Sequence, residues 1–304
     1  NYIKGCVEIT GDYKKGNFVD KIYEEPKVRG ISDYGAHLKV LSFDLETSMN
    51  AEKILSLAYV CGRTKEVFLH TPKHVQHVQK EYVTCFSEEK SLITAFLEKV
   101  KNLDPDVITG WNVVDFDLNV LRKKCKEYTI PFVLGRAEWE STLRIYDDFF
   151  RESKADIAGR QVLDGISLLQ NNFIKLNDYK LDTAAREFLG EQKEIQFTNK
   201  GVEIETLAEK DPLTLAKYNL KDAELVLRIL EKKDLISLTV QRSILTGMAL
   251  DRVSASIASF DSLYLRETAK RGYVCATAKH NERDERIKGG YVMDSLPGIY
   301  DYVI

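Results

Sequence analysis

The run Leu41-Ser-Phe-Asp-Leu-Glu-Thr-Ser48 places two carboxylates, Asp44 and Glu46, two residues apart in sequence that otherwise reads as buried strand. Strand side chains alternate between faces, so positions i and i+2 project the same way. Two carboxylates held that close resist ionising together. A cation between them relieves the repulsion, and an all-oxygen donor set suits a hard divalent ion such as Mg²⁺ or Mn²⁺. The competing reading is a solvated strand end whose Asp-x-Glu pair has no further role, and the pair alone does not choose between them.

Two further segments supply acids in chemically suggestive places. Gly110-Trp-Asn-Val-Val-Asp-Phe-Asp117 sits at a strand-to-helix junction. Acids there also complement a helix N-terminus without further function; Asp115 suits the cap and Asp117 a cleft. Asn112 has an amide that can bond a substrate or backbone. Tyr218-Asn-Leu-Lys-Asp222 lies inside a long helical pattern. Tyr218 and Asp222 are i and i+4, one turn apart on one face. Either Tyr218 packs in the core and Asp222 pairs with Lys221 or Arg228 at the surface, or Asp222 lies one turn from the apolar stripe of Leu215, Leu225, Val226, Leu227 and Ile229 and requires a cation.

The elements that must position these groups follow from the hydrophobic pattern. Strands are expected over residues 38–45, 54–61, 66–70, 82–86, 107–109 and 161–164. Ser87 reads as the N-cap of a helix over 88–102, whose Leu92, Ile93, Phe96, Leu97 and Val100 share a face. Asp104-Pro-Asp106 ends it. Further helices are expected over 115–128, 165–173, 181–189, 206–209, 211–230, 234–246 and 252–270. Residues 135–160 read as a long loop or protruding hairpin. Residues 1–36, with short β-prone runs broken by Gly and Pro, read as part of a β-rich region. Strands, then strands and helices in alternation, then helices, make an α/β class with a mixed sheet covered on both faces. Polar groups at its strand ends would line a cleft.

Composition narrows the class without naming it. The 304 residues are 44% hydrophobic and 30% charged, and their net charge is −3. These values fit a globular chain with ample core, and no stretch reaches the apolar length of a membrane span. Clustered carboxylates can hold the net charge down while local basic patches meet nucleic acid. The five cysteines are scattered and form no C-x-x-C pair, which fits a reducing compartment and disfavours a disulfide framework or zinc ribbon. The chain opens on Asn1 without a secretory leader and closes on a strand-like run, so a piece of a larger protein is expected.

In order and spacing, Asp-x-Glu, then Gly-Trp-Asn-x-x-x-Phe-Asp, then Tyr-x-x-x-Asp resembles the three exonuclease motifs of the proofreading domain of family B DNA polymerases. The resemblance covers about residues 38–230. Beyond it, Lys288-Gly-Gly-Tyr-Val-Met-Asp294 resembles the Gly-Gly-Tyr segment that joins exonuclease and polymerase modules, most closely in bacterial members. The resemblance implies a ribonuclease H-like fold and a DEDDy site. Asp44, Glu46, Asp117, Tyr218 and Asp222 would be catalytic. Asp44 would bridge two Mg²⁺ or Mn²⁺ ions, Glu46 and Asp222 completing one site and Asp117 the other. Tyr218 would orient the attacking water. Asn112, Phe116, Leu45 and Thr47 would meet the substrate, the single-stranded 3′ end of a primer–template DNA.

By the same resemblance, residues 1–36 would be a remnant of an N-terminal domain and 37–233 the exonuclease. Residues 234–304 would be a helical connector toward a polymerase palm that the chain lacks. The missing polymerase domain and DNA are the expected partners, with no membrane, in a cytoplasmic, nucleoid-associated setting. A hairpin in the region of 135–160, which carries Arg136, Arg144 and Arg151, helps move the primer end in related polymerases. Trp111 and Phe116 read more readily as core than as stacking platforms, and the basic run at 122–126 as a solvated face that favours phosphate.

Two signals are discounted. His70, His74 and His77 span a Pro-containing loop and lack partners for a zinc site. Gly289-Gly290 is not followed by the Lys and Ser or Thr of a phosphate loop. Two rival functions stay open on sequence: a DEDDy exoribonuclease, and an exonuclease-like domain kept as a DNA-binding scaffold.

Overall fold

The computed structural model describes residues 7–17, 19–31, 35, 37–71, 80–146, 152–191, 199–277 and 297–301. The N-terminal segment is a nested pair of antiparallel ribbons. β1 (Val7–Thr10) pairs with β4 (Lys27–Gly30), enclosing β2 (Tyr13–Lys14) and β3 (Ile22–Tyr23). Most of their side chains are exposed, so these ribbons contribute little core.

The main sheet has six strands: β5 (Val40–Thr47), β6 (Ile54–Cys61), β7 (Thr64–His70), β8 (Val83–Phe86), β9 (Val107–Gly110) and β12 (Gln161–Asp164). Their order is β12-β9-β5-β6-β7-β8. β12, β9 and β5 run parallel, β6 is antiparallel to both β5 and β7, and β8 is parallel to β7. Short connections let β5, β6 and β7 follow one another as a meander, whereas each parallel pairing needs a longer crossover.

Helices cover both faces. α1 (Glu89–Leu103) and α2 (Asn119–Glu127) lie on one face. There Phe43, Leu45, Leu57 and Tyr59 pack against Leu92, Ile93, Phe96 and Leu121. Each such aliphatic or aromatic group contributes about 1.5–3 kcal/mol on full burial. α3 (Gly165–Asn171), α4 (Leu181–Leu189), α5 (Lys200–Lys210) and α6 (Pro212–Lys232) gather on the other side. α7 (Leu235–Thr246) and α8 (Ser256–Lys270) follow. This is the ribonuclease H-like mixed sheet that the motifs imply.

Local outcomes differ from the sequence reading in instructive ways. Glu88, not Ser87, is the N-cap of α1, and its side chain makes no capping bond; Asp104 closes the helix in the left-handed region at φ 48°. The expected 206–209 helix is the last part of an eleven-residue α5. The helix expected over 115–128 opens with a π-turn over Val114–Leu118, in which the Leu118 N–H donates to the Val113 carbonyl at 2.8 Å. Its N-cap, Val113, has no side chain to cap with, and exposed Asp115 does not take that role. Residues 135–160 include a short hairpin of β10 (Thr142–Arg144) and β11 (Lys154–Asp156). Arg151, His74, His77, Cys6 and the Gly289-Gly290-Tyr segment lie outside the described residues.

The basic run on α2 is not a uniformly solvated face. Lys124 is buried, with its ammonium on the Glu52 carbonyl and 2.8 Å from Glu127. Arg122 donates to the Leu143 carbonyl and the Asn119 side chain. Lys123 and Lys126 are left on the surface. Arg136 is likewise committed, to Asp104 at 2.7 Å and Asp106 at 2.9 Å. Among the described residues no helix is long and apolar enough to cross a membrane.

Candidate active site

The site forms where β5 outruns its neighbour. β9 pairs with β5 only as far as Ser42, so the strand's last residues project beyond β9. Close approach at that point requires Gly110: a Cβ there would fall 2.7 Å from the Phe43 carbonyl oxygen. Beyond it the chain turns through Asn112, whose φ of 63° lies in the left-handed region that Asn tolerates. The π-turn then buries Asp117 and leaves its neighbour Phe116 outside. π-turns of this kind are frequent at functional sites.

Phe43 and Leu45 belong to the core that α1 covers, which sends Asp44 and Glu46 to the opposite face, under α6. A shift in strand register between Glu46 and Thr47 ends the regular pairing there. α6 reaches the sheet closely because its contact face is small: Ala216 and Ala223 pack on Ala58, Val60, Val67 and Leu69. Asn219 and Asp222 ride on that helix beside them. α6 starts at Asp211, whose side chain accepts from the Thr214 N–H, with Pro at the first turn.

These elements bring Asp44, Glu46 and Asp222 together. Each offers a carboxylate oxygen, and the oxygens all lie within 4.8 Å of one another. Asp222 is 3% exposed and does not take the surface pairing that its neighbours offer. Lys221 and Arg228 both reach Glu191 instead. Asp117 is 1% exposed and near enough for its charge to act on Asp44 and Glu46, its Oδ1 accepting from the Leu45 N–H at 2.9 Å. It replaces the strand partner that β5 has lost. Tyr218 is buried against Leu215 and Ile204, next to the carboxylates.

Electrostatics match the geometry. Burial, then the charges of Asp117, Glu46 and Asp222, hold the Asp44 carboxyl well above the usual carboxylate range. Burial also raises Asp117, against the hydrogen bond from Leu45. Burial and the surrounding acids push the Tyr218 phenol upward, and a hydrogen bond with Asp222 adds to this. The Lys200 ammonium lies 2.9 Å from Glu46 Oε1, on a side chain 55% exposed. Its partial burial favours the neutral amine, but Glu46 and Asp44 outweigh that and raise it. A compact, all-carboxylate donor set, already drawing in the nearest ammonium, fits a hard divalent cation.

The remaining expected contacts divide. Asn112 is exposed, and Phe116 is 39% exposed rather than core. Trp111 is core-like: it packs in the second cluster and its indole N–H donates to the Tyr179 carbonyl at 2.8 Å. The Leu45 side chain is 2% exposed and its N–H is taken by Asp117. Thr47 is partly exposed at the strand end.

Two residues escaped the sequence reading. Lys200 had no motif, because the start of α5 was not recognised. Asn219 is fully buried, and its amide meets Asp44 and Ser56. An amide on the face that carries Ala216 and Ala223 was a legible signal, since a polar group there must find a partner.

Residues 7–184 match the family model of the DNA polymerase family B exonuclease domain. The chain is 34% identical over 312 residues to DNA polymerase II of Escherichia coli (strain K12), an alignment covering 100% of this chain and 38% of that protein. It is 29% identical over 238 residues to the DNA polymerase delta catalytic subunit of Caenorhabditis elegans, covering 74% of this chain and 22% of that one. It is 26% identical over 318 residues to a DNA polymerase of Thermococcus kodakarensis, covering 94% and 18%. The chain thus spans well under half the length of these curated relatives. With the family model matched over more than half the chain, and its motifs converging at the end of β5, this chain belongs to the family B DNA polymerases and carries their exonuclease domain.

Proposed function

We propose that the chain hydrolyses the 3′-terminal phosphodiester of single-stranded DNA, releasing a nucleoside monophosphate, as the proofreading part of a DNA-directed DNA polymerase. The observation that carries this reading is the convergence of Asp44, Glu46 and Asp222 within 4.8 Å, backed by Asp117. Asp44, Glu46, Asp222 and Asp117 would together hold two divalent ions. Mg²⁺ or Mn²⁺, when bound, would supply the positive charge that favours ionisation of a water and neutralises charge developing on the phosphate.

The chain's own residues do the rest. The carboxylates hold the cations and are in turn held by β5, the π-turn and α6. Tyr218 keeps its proton, because burial and the adjacent acids raise its phenol. Its hydroxyl therefore serves to orient water or phosphate and does not act as a base. Exposed Phe116 offers a ring on which a terminal base can stack, and Asn112 an amide beside it; Thr47 lies at the same strand end. The exonuclease of this reading runs over residues 37–233, from just before β5, which starts at Val40, to just after α6, which ends at Lys232. DNA and a polymerase module are the partners of this reading, and a cytoplasmic, nucleoid-associated setting follows from them.

The test is release of mononucleotides from 3′-labelled single strands of DNA and of RNA, without metal and with Mg²⁺ or Mn²⁺. Faster loss from DNA supports the proposal, and faster loss from RNA would make the chain an exoribonuclease. No release in either metal would leave a DNA-binding scaffold.

A further inference from the structure

Asn219 is 0% exposed and sits between the sheet and the carboxylates. The Ser56 hydroxyl donates to its Oδ1 at 2.7 Å. Its Nδ2 donates to Asp44 Oδ2 at 2.6 Å and to the Asp44 carbonyl oxygen at 3.2 Å. Ser56 lies on β6 opposite Glu46, two residues from Ala58, the partner of Asp44. The hydroxyl therefore rises from the sheet under α6, where the amide can reach it.

The chain of donors has one direction. With Oδ1 accepting from Ser56, the amide presents N–H to Asp44. Reversed, it would put a carbonyl oxygen against a carboxylate, and a buried amide cannot leave its groups unpaired. The terminal torsion of an Asp is broad and soft, so a carboxylate on a strand end has no fixed plane of its own. A neutral donor fixes that plane without adding the positive charge that would compete with a cation. Hydrogen-bond partners of ligating carboxylates typically change metal affinity by roughly 10–100-fold when removed.

We propose that Asn219, oriented by Ser56, is a positioning residue that fixes the Asp44 carboxylate for cation binding. The inference rests on the metal-dependent reading above. Its test is Mn²⁺ binding by electron paramagnetic resonance, on the full chain without DNA, so that no turnover is involved. Asn219→Ala is expected to weaken Mn²⁺ binding about tenfold or more, while Ser56→Ala weakens it less and Ser56→Thr, which keeps the hydroxyl, binds as the parent does. In nuclease assays the Mg²⁺ concentration for half-maximal rate should rise in parallel, with the rate at saturating Mg²⁺ largely recovered. Loss of packing alone would not produce that split. Ser56→Ala leaves the amide in place, and so decides the matter if Asn219→Ala does not fold. Asp44→Asn and Asp222→Asn are the controls. If both controls lose Mn²⁺ but Asn219→Ala and Ser56→Ala bind as the parent does, the positioning role is overturned and the metal site stands. If the controls also bind as the parent does, the metal site itself is wrong and the inference falls with it.

Discussion

The Lys200 ammonium stands 2.9 Å from Glu46 Oε1 and 5.7 Å from the centre of the Tyr218 ring. A side chain half in solvent thus brings its charge to a nearly buried carboxylate group. Removing it leaves Asp44, Glu46 and Asp222 with less compensation. Lys200→Met should lower the melting temperature measured in chelator, and saturating Mg²⁺ should narrow the gap to the parent, because the cation takes over the same charges. An equal gap with and without Mg²⁺ would show that Lys200 does not balance this site.

Asp117 has two separable duties, the hydrogen bond to the Leu45 N–H and its charge. Asparagine keeps an acceptor at that place and removes the charge, whereas alanine removes both. An unpaired buried N–H costs about 1–3 kcal/mol. In chelator, Asp117→Ala should be less stable than Asp117→Asn by about that amount, as read by urea unfolding, and both should lose nuclease activity. Equal stability of the two variants would mean that the Leu45 bond does not support β5.

Asp164 ends β12 and caps α3. Its Oδ1 accepts from the Ile166 and Ser167 N–H groups, and its Oδ2 from Val113 at 2.6 Å. It thereby ties the turn before the π-turn to the neighbouring strand. Burial, opposed by those three bonds, pushes its carboxyl up to about 6. An acid raised on folding contributes stability that is fully present below its unfolded value, about 3.9. That contribution is lost as pH rises through about 6. The stability advantage of the parent over Asp164→Asn should therefore shrink between pH 4 and pH 7, as followed by urea unfolding across that range. An advantage that grows over the same interval would contradict the raised carboxyl.

Much of this was legible in the sequence because the signals were local. β6 and β12 appear over the expected residues, and α1, α4 and α6 start and stop within two residues of their pattern. The alternation along β5 set Asp44 and Glu46 on one face, and the spacing in α6 set Tyr218 one turn from Asp222. What stayed hidden depends on residues far apart in the chain. Nothing near Asp117 says that its carboxylate will serve the Leu45 N–H 72 residues away. Lys200 reaches Glu46 only because α5 packs beside α6, and α5 lacked the clean apolar stripe that would have marked its start. Phe116 read as core because aromatic residues usually are; the π-turn rotated it outward.

Tyr218 is held next to the carboxylates with its phenol raised by burial and by Asp222. A group that keeps its proton cannot give the reaction an alkaline limb by ionising as a base. Tyr218→Phe should slow mononucleotide release by less than Asp44→Asn does, and leave the shape of the pH–rate profile between pH 7 and pH 9 unchanged. Loss of a rising limb in that profile on substitution would assign Tyr218 the part of a base.

The most direct test of the whole account is nucleotide release from a single-stranded DNA 3′ end by the chain and by Asp44→Asn, each in chelator and in Mg²⁺ or Mn²⁺. The arrangement of Asp44, Glu46, Asp117 and Asp222 predicts release by the parent in either metal, none in chelator, and none by Asp44→Asn although it stays folded. Release in chelator, or undiminished release by Asp44→Asn, would contradict it.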